Sequence, residues 1–133
     1  MLILAGGFVS CSKDERDILL NTKWKLVGFM DVASGETKYA EPTNKWCYTI
    51  TFKNNRKWEG RSAVNSMEGK YKINYSKNSI SISIRLMTKV YCENCDEDLY
   101  VESLKNVDFF SIQENELKLY YNSKQNYLLY KSQ

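Results

Sequence analysis

The chain contains no histidine, one proline and six glycines among its 133 residues. Without histidine it cannot build a Ser-His-Asp or Cys-His nucleophilic centre, nor a metal site that depends on imidazole ligands. No apolar run reaches the roughly 18 residues of a membrane-spanning helix. Hydrophobic residues make up 43% and charged residues 26% of the chain, which is typical of one folded globular domain.

Charge is distributed unevenly along the chain. Residues 1–89 carry 15 basic and 8 acidic side chains, whereas residues 90–133 carry 4 basic and 8 acidic ones. The basic residues are scattered, mostly at alternate positions of strand-like segments, which indicates a solvated outer sheet face. Arg56-Lys57 beside Trp58 is the nearest approach to a basic-aromatic patch, and it is small. We therefore expect no nucleic-acid partner.

The first ten residues, MLILAGGFVS, are apolar and uncharged. They have the length of a signal-peptide apolar core, and we interpret residues 1–10 as a signal-peptide remnant. Basic residues should precede such a core, so we expect the translation start to lie upstream. The alternative is a buried first strand, which the polar, acidic cluster immediately after it disfavours.

Two adjacent motifs around Cys11 resemble bacterial export signals. Phe8-Val9-Ser10-Cys11 resembles a lipobox, although Phe8 stands where leucine is preferred, and Ser12-Lys13-Asp14-Glu15 resembles the surface-export signal of some Gram-negative lipoproteins. The resemblance implies that Cys11 is lipidated and that the protein is held at the outer membrane, facing outward. Several acyl chains would make this membrane attachment effectively permanent. Residues 11–21 would then form a lipidated tether to a domain spanning residues 22–133.

From Lys23 onward, apolar and polar residues alternate. This period of two, rich in β-branched and aromatic residues, predicts half-buried strands. The clearest runs lie at residues 46–52, 71–75, 80–86 and 117–121. Asn-rich and Ser-rich turns separate them at intervals of roughly ten residues. The pattern predicts a mainly β fold: a small, antiparallel, barrel-like sheet of about eight short strands.

One segment departs from the strand pattern. Asn94 and Glu97 form a plausible capping pair, and three acidic residues from Asp96 to Asp98 would favour the first turn of a helix. Tyr100 and Leu104 recur at helical spacing and would form one apolar face. We predict one helix over residues 95–106, packed on the sheet.

The order of these elements resembles the META domain, a family of heat-shock lipoprotein-like envelope proteins. The matching segments, in chain order, are Trp24-Lys25-Leu26, Thr49-Ile50-Thr51-Phe52, Gly60, Asn65, Gly69-Lys70-Tyr71, Thr88 to Cys92, Leu104 and a closing hairpin over 116–130. The resemblance implies a small barrel-like β fold and an envelope location, without a defined catalytic constellation. Val64 departs from the family pattern, which often has cysteine there. The W-x-L opening also resembles lipocalin-like lipoproteins, the rival family.

Three cysteines remain if Cys11 is lipidated: Cys47, Cys92 and Cys95. An envelope compartment permits disulfides, so a structural bridge is the favoured interpretation, either Cys92–Cys95 or one of these with Cys47. A redox pair at the helix N-terminus is an alternative that the neighbouring carboxylates oppose. Half of a zinc site is another, but there is no second C-x-x-C and no histidine. We expect no metal and no other cofactor.

Aromatic side chains are the candidate ligand contacts. Tryptophans can stack on a sugar or line a cavity, but more often they are core residues. The candidate pocket residues are Trp24, Trp46, Tyr48, Phe52, Trp58 and Tyr71.

These features predict a non-catalytic envelope lipoprotein that acts as a surface-exposed binding or structural module. The alternative is a lipocalin-like carrier of a small apolar ligand inside the barrel, and a third class is a redox protein using Cys92 and Cys95. Expected partners are the membrane, through the lipid anchor, and an envelope protein, a polysaccharide or an apolar molecule.

Overall fold

The structure is a computed structural model that describes residues 14–133. Within this range, two short helices accompany nine strands. The helices are α1 (Glu15–Leu19) and α2 (Glu97–Lys105); the strands are β1 (Trp24–Asp31), β2 (Thr37–Tyr39), β3 (Thr49–Phe52), β4 (Lys57–Arg61), β5 (Ser66–Asn74), β6 (Ser79–Met87), β7 (Phe109–Gln113), β8 (Glu116–Tyr121) and β9 (Asn126–Ser132). The predicted mainly β fold is confirmed, with one helix more than expected.

All nine strands belong to one antiparallel sheet in the order β2-β1-β3-β4-β5-β6-β7-β8-β9. The sheet closes into a ring because β1 also pairs with β9, from Trp24 opposite Ser132 to Asp31 opposite Asn126. The other edge of β1 is shared. Its first residues pair with β3 and its last ones with β2. Closure leaves few unpaired strand edges, which limits edge-to-edge association.

The loosest seam of the ring lies between β6 and β7, which share one residue pair, Ser79 opposite Phe109. Helix α2 lies beside this region. Val101 and Lys105 of α2 border a recess together with Ile82 and Ile84 of β6. The helix is two residues later in its start and one earlier in its end than predicted from the apolar spacing. It therefore covers the place where the ladder of hydrogen bonds is thinnest.

The interior of the ring is formed by the alternate residues of its strands. In β5, Met67, Gly69 and Tyr71 are buried while their neighbours are exposed, as the period of two requires. The largest fully buried side chains are Trp24, Trp58, Tyr48, Tyr100, Tyr130 and Phe52. Burying a large apolar side chain stabilises the fold by about 1.5–3 kcal/mol. This aromatic interior is the main source of stability.

Gly69, the glycine of the Gly69-Lys70-Tyr71 motif, lies where two strands and an indole meet. A Cβ atom at this position would come within 1.9 Å of the Ser83 carbonyl oxygen and 2.9 Å of Trp58 Nε1. The same indole donates a hydrogen bond to the Ser83 carbonyl oxygen at 3.0 Å. Glycine is therefore required at position 69 for the buried Trp58 side chain to cross the strand.

Helix α1 alters the expected boundary of the domain. Leu19 is fully buried, and its carbonyl oxygen accepts a hydrogen bond from Trp24 Nε1 at 3.1 Å. The backbone N–H of Asn21 donates to the Phe52 carbonyl oxygen at 2.8 Å. Residues 15–21, which had been assigned to the tether, therefore pack on the sheet, because Ile18, Leu19 and Leu20 supply apolar contacts. Among the described residues, neither helix has the length and apolarity needed to cross a membrane.

Candidate functional site

Five of the six candidate pocket residues are packed in the core of the ring. Trp24, Tyr48, Phe52 and Trp58 are at most 1% exposed, and Tyr71 is 5% exposed. Two of their rings meet directly: Phe52 and Tyr71 form an edge-to-face pair with centroids 4.9 Å apart. Tyr48 forms a similar pair with Tyr100 of α2. These side chains occupy the ring interior.

Trp46 was expected to share a face with Tyr48 and does not. It is 53% exposed, and the strand begins only at Thr49. Tyr48 has a positive φ of 55°, which breaks the alternation between positions 46 and 48. The placement of Trp46 in the pocket is therefore wrong, because an irregular backbone precedes β3.

Two tyrosine hydroxyls meet at the centre of the ring. Tyr100 of α2 and Tyr130 of β9 are fully buried, and their oxygen atoms lie 2.8 Å apart. Burial raises the pKa of both phenols well above the ordinary value. Burial also raises the pKa of Tyr71 to about 12; its hydroxyl donates to the Lys53 carbonyl oxygen at 2.6 Å. These groups stay neutral at physiological pH and act as structural hydrogen-bonding groups.

The cysteines divide into a pair and a single thiol. Cys92 and Cys95 form a disulfide in the loop that leads into α2, with Cα atoms 6.0 Å apart. Cys47 is a buried free thiol, and its Sγ lies 3.0 Å from the Ala63 carbonyl oxygen. Within residues 14–133, no group of three histidine, cysteine, aspartate or glutamate side chains is arranged to hold a metal ion. The predicted lipidation site, Cys11, lies outside the described residues.

A buried carboxylate connects α2 to the β4–β5 turn. Glu97, which is 8% exposed, accepts hydrogen bonds from the Ser62 hydroxyl at 2.7 Å, the Ala63 N–H at 3.0 Å and Asn65 Nδ2 at 2.9 Å. The Asn65 side-chain oxygen accepts from the Thr88 hydroxyl at 2.8 Å and the Val90 N–H at 2.7 Å. We call Ser62, Asn65, Thr88 and Glu97 the Glu97 network. Every polar group in it has an internal partner, so it is a structural clamp.

The sequence around Glu97 predicts a different role for this residue. Asn94 and Glu97 were expected to cap the helix, but the N-terminal cap is Asp96, and its side chain makes no capping hydrogen bond. Asp96 instead accepts from the Glu41 N–H at 2.8 Å and pairs with Lys38 at 3.2 Å. The capping pair is therefore wrong, because the carboxylates of this turn connect the helix to distant loops rather than to its own backbone.

The outer face of β4, β5 and β6 carries a cationic groove, which sequence reasoning missed. It is a cleft of about 620 Å³ whose lining includes five cations and no carboxylate. The lining residues are Asn55, Arg56, Lys57, Lys70, Tyr71, Lys72, Ser81, Ser83 and Arg85. Among the five cations, only Arg56 and Lys57 are adjacent in the sequence. The signal that could have found the rest is the alternation of Lys70 and Lys72 on a strand facing Ser81 and Ser83.

A second cleft, of about 520 Å³, extends this groove toward α1. It shares Arg56, Tyr71 and Lys72 with the first cleft and adds Arg16 from the helix. The Arg16 guanidinium also lies 5.1 Å from the centroid of the Tyr75 ring, a cation–π distance. The two clefts are thus adjacent, and their lining residues extend from β6 to α1.

Comparison with known proteins identifies the family. The sequence model of the META domain matches residues 17–133. The chain belongs to the META domain family. A protein of Tannerella forsythia named "Putative lipoprotein" is 28% identical over 142 residues, covering 98% of this chain and 89% of that protein. The resemblance inferred from the ordered motifs is therefore confirmed.

Two solved structures share the fold of this META domain. A DUF4847 family protein from Bacteroides vulgatus superposes with a TM-score of 0.69 at 17% identity, over 87% of this chain and 95% of that one. A protein structure determined by NMR gives a TM-score of 0.58 at 20% identity, over 90% of this chain and 95% of the other. At these identities the similarity establishes the fold alone.

Proposed function

We propose that this META domain is a non-catalytic binding module of the cell envelope. It is lipid-anchored through Cys11 at the outer membrane and faces the cell exterior. The family assignment and the relative named as a lipoprotein support the envelope location. The lipobox-like segment ending at Cys11 and the Lys13-Asp14-Glu15 run after it support the anchor and its outward direction.

The observation that carries the binding role is the contrast between a filled interior and an uncovered charged groove. Trp24, Tyr48 and Phe52 are fully buried, so their rings are used in core packing and are closed to a ligand. The groove on the outside of β4–β6 is open to solvent. A partner would therefore meet the outer face. The carrier alternative, which needs an apolar site within the ring, has less support.

The hydrogen bonding of the buried polar groups supports the non-catalytic assignment. A catalytic acid or base must come within hydrogen-bond reach of the substrate proton that it transfers. Here Glu97 accepts from three different residues, and the hydroxyls of Tyr100 and Tyr130 bond to each other. The chain also has no histidine. These features favour binding over catalysis.

Metabolic labelling with a fatty-acid probe tests the anchor. We expect labelling of the wild-type protein, loss of labelling in Cys11→Ala, and unchanged labelling in the matched neighbour variant Ser12→Ala. External protease applied to intact cells then tests orientation, with accessibility expected for the wild type. Labelling that persists in Cys11→Ala would contradict the lipid anchor.

Native mass spectrometry tests the filled interior. The full-length Cys11→Ala protein, purified from whole cells under native conditions, is expected to have the mass of the polypeptide alone. The Phe52→Ala variant opens the core and serves as the control for binding of an added apolar probe such as a fatty acid. A stoichiometric apolar molecule retained by the unmodified core would instead support the carrier.

A further inference from the structure

We propose that the cationic groove of β4–β6 binds a linear acidic polysaccharide that bears carboxylate or sulfate groups. The proposal rests on the outer face being the binding surface, as proposed above, but not on lipidation of Cys11. It assigns a chemical class of ligand to that surface.

The first argument is uncompensated charge. Lys57 on β4 lies directly opposite Lys70 on β5, and like charges in opposed positions destabilise a sheet. Among residues 14–133, the ion pairs within 4.0 Å use Lys38, Lys53, Lys105 and Lys131, none of which lines the groove. An anionic ligand would remove this repulsion.

Two acidic residues border the groove but do not line it. Glu59 and Glu68 face each other on the same two strands, two positions beyond the Lys57–Lys70 pair. Glu59 is paired with Lys53 at 3.7 Å. Along β4, the Glu59–Glu68 pair therefore lies between the Lys57–Lys70 pair of the groove and Arg61. The two carboxylates give the groove a negative border on this side.

The second argument is shape and spacing. Side chains of neighbouring strands recur at about 4.8 Å across a sheet, and those on one face recur about every 6.7 Å along a strand. Cations at this spacing match a chain that carries one charge on each sugar ring. The two adjacent clefts place cations for such a chain from Arg85 on β6 past Arg56 to Arg16 on α1. Ser81 adds a hydroxyl that can pair with a sugar hydroxyl.

Other polyanions fit this surface less well. Single-stranded nucleic acid needs exposed aromatic faces for its bases, and the Tyr71 ring in the groove is 5% exposed. A bilayer is planar and contacts protruding side chains, whereas the cations here line a recess. These differences favour a flexible acidic chain.

Binding of oligogalacturonides of defined length to the full-length Cys11→Ala protein tests the proposal, with neutral dextran as the control ligand. We expect affinity to rise with chain length and to fall with salt, and no binding of dextran. The variant Lys57→Gln/Lys70→Gln/Lys72→Gln should bind about tenfold more weakly. The matched variant Lys45→Gln/Lys89→Gln/Lys124→Gln makes the same change in net charge on exposed lysines outside the groove and should stay within about twofold.

Arg56→Gly separates binding from folding. Arg56 has a positive φ of 66°, which glycine adopts without steric cost, so this variant should keep its fold while losing a groove cation. We expect unchanged circular dichroism and weaker binding of the long oligomer.

Three outcomes would overturn the proposal: equal losses in the two triple variants, monomeric galacturonate binding as tightly as the long oligomer, or capture by phosphatidylglycerol vesicles with no binding of the oligomers. Each leaves the anchor and the filled interior untouched, because those are measured by labelling and by native mass.

Discussion

The buried polar groups of this domain and the charged groups on its outer face differ in whether they have a partner from the same chain. Inside, the Glu97 carboxylate and the Tyr100 and Tyr130 hydroxyls are matched by partners from the same chain. Outside, Lys57 and Lys70 face each other without a carboxylate between them. An internally matched group stabilises the fold, whereas an unmatched surface charge remains available to a partner. The difference separates the residues that maintain the domain from those that we propose bind its ligand.

The largest expected effect comes from high pH, which ionises the buried tyrosine hydroxyls. Burial raises the pKa of Tyr71 to about 12 and those of Tyr100 and Tyr130 well above the ordinary value of 10. The unfolded chain releases these protons first, so the stability is fully present below about pH 10 and is lost as pH rises toward 12 and beyond. We expect cooperative unfolding in that range, with phenolate absorbance and circular dichroism changing together. Phenolate formation well before unfolding would contradict the buried placement.

Removing the buried carboxylate should have the next largest effect. Glu97→Ala leaves the Ser62, Ala63 and Asn65 donors without their acceptor, which costs about 3 kcal/mol in the free energy of unfolding. Urea denaturation measures this loss. The matched variant Asp98→Ala, on the exposed side of the same helix, should change stability by no more than about 0.5 kcal/mol. Equal effects of the two changes would show that the clamp contributes little.

The tyrosine pair should show coupling of smaller size. Tyr130→Phe leaves the buried Tyr100 hydroxyl unsatisfied and should cost about 1–2 kcal/mol. The double variant Tyr100→Phe/Tyr130→Phe should cost less than the sum of the two single variants, because no orphaned hydroxyl remains. Additive losses in a double-mutant cycle would argue against a hydrogen bond between these groups.

The smallest expected effect on stability belongs to the outer face, and it has the opposite sign. Lys70→Glu replaces the opposed Lys57–Lys70 pair by an attractive pair, so it should stabilise the domain by about 0.5 kcal/mol. Lys45→Glu, at an exposed lysine outside the groove lining, is the matched charge change. Thermal denaturation at low salt measures the difference. A loss of stability specific to Lys70→Glu would show that Lys70 supports the fold rather than a ligand.

Much of the architecture could be predicted from the alternation of apolar residues, because a period of two follows directly from strand geometry. The runs at 80–86 and 117–121 lie in strands, the run at 71–75 does so as far as Asn74, and the helix lies within the predicted range. Trp46 was misplaced because the left-handed backbone at Tyr48 interrupts the alternation, and single residues of this kind leave no clear sequence pattern. Leu19 was missed because a five-residue helix is too short for helical periodicity to identify.

The candidate site was harder to predict than the fold. Its cations come from α1, from the β3–β4 turn and from three strands, so their proximity depends on strand register. Alternating lysines in the sequence are equally consistent with an ordinary solvated sheet face. The register places Lys57, Lys70 and Ser83 side by side, and only this arrangement brings together cations that are far apart in the sequence.

Chemical-shift mapping by NMR tests most directly whether ligands meet the outer face. An oligogalacturonide titrated into the isotope-labelled full-length Cys11→Ala protein should shift the backbone signals of β4, β5 and β6 around the groove, from Arg56 to Arg85. The signals of Tyr100 and Tyr130 should stay unchanged, because the ring interior remains closed. Shifts concentrated at the interior residues, or absent from the groove while the oligomer binds, would contradict the account.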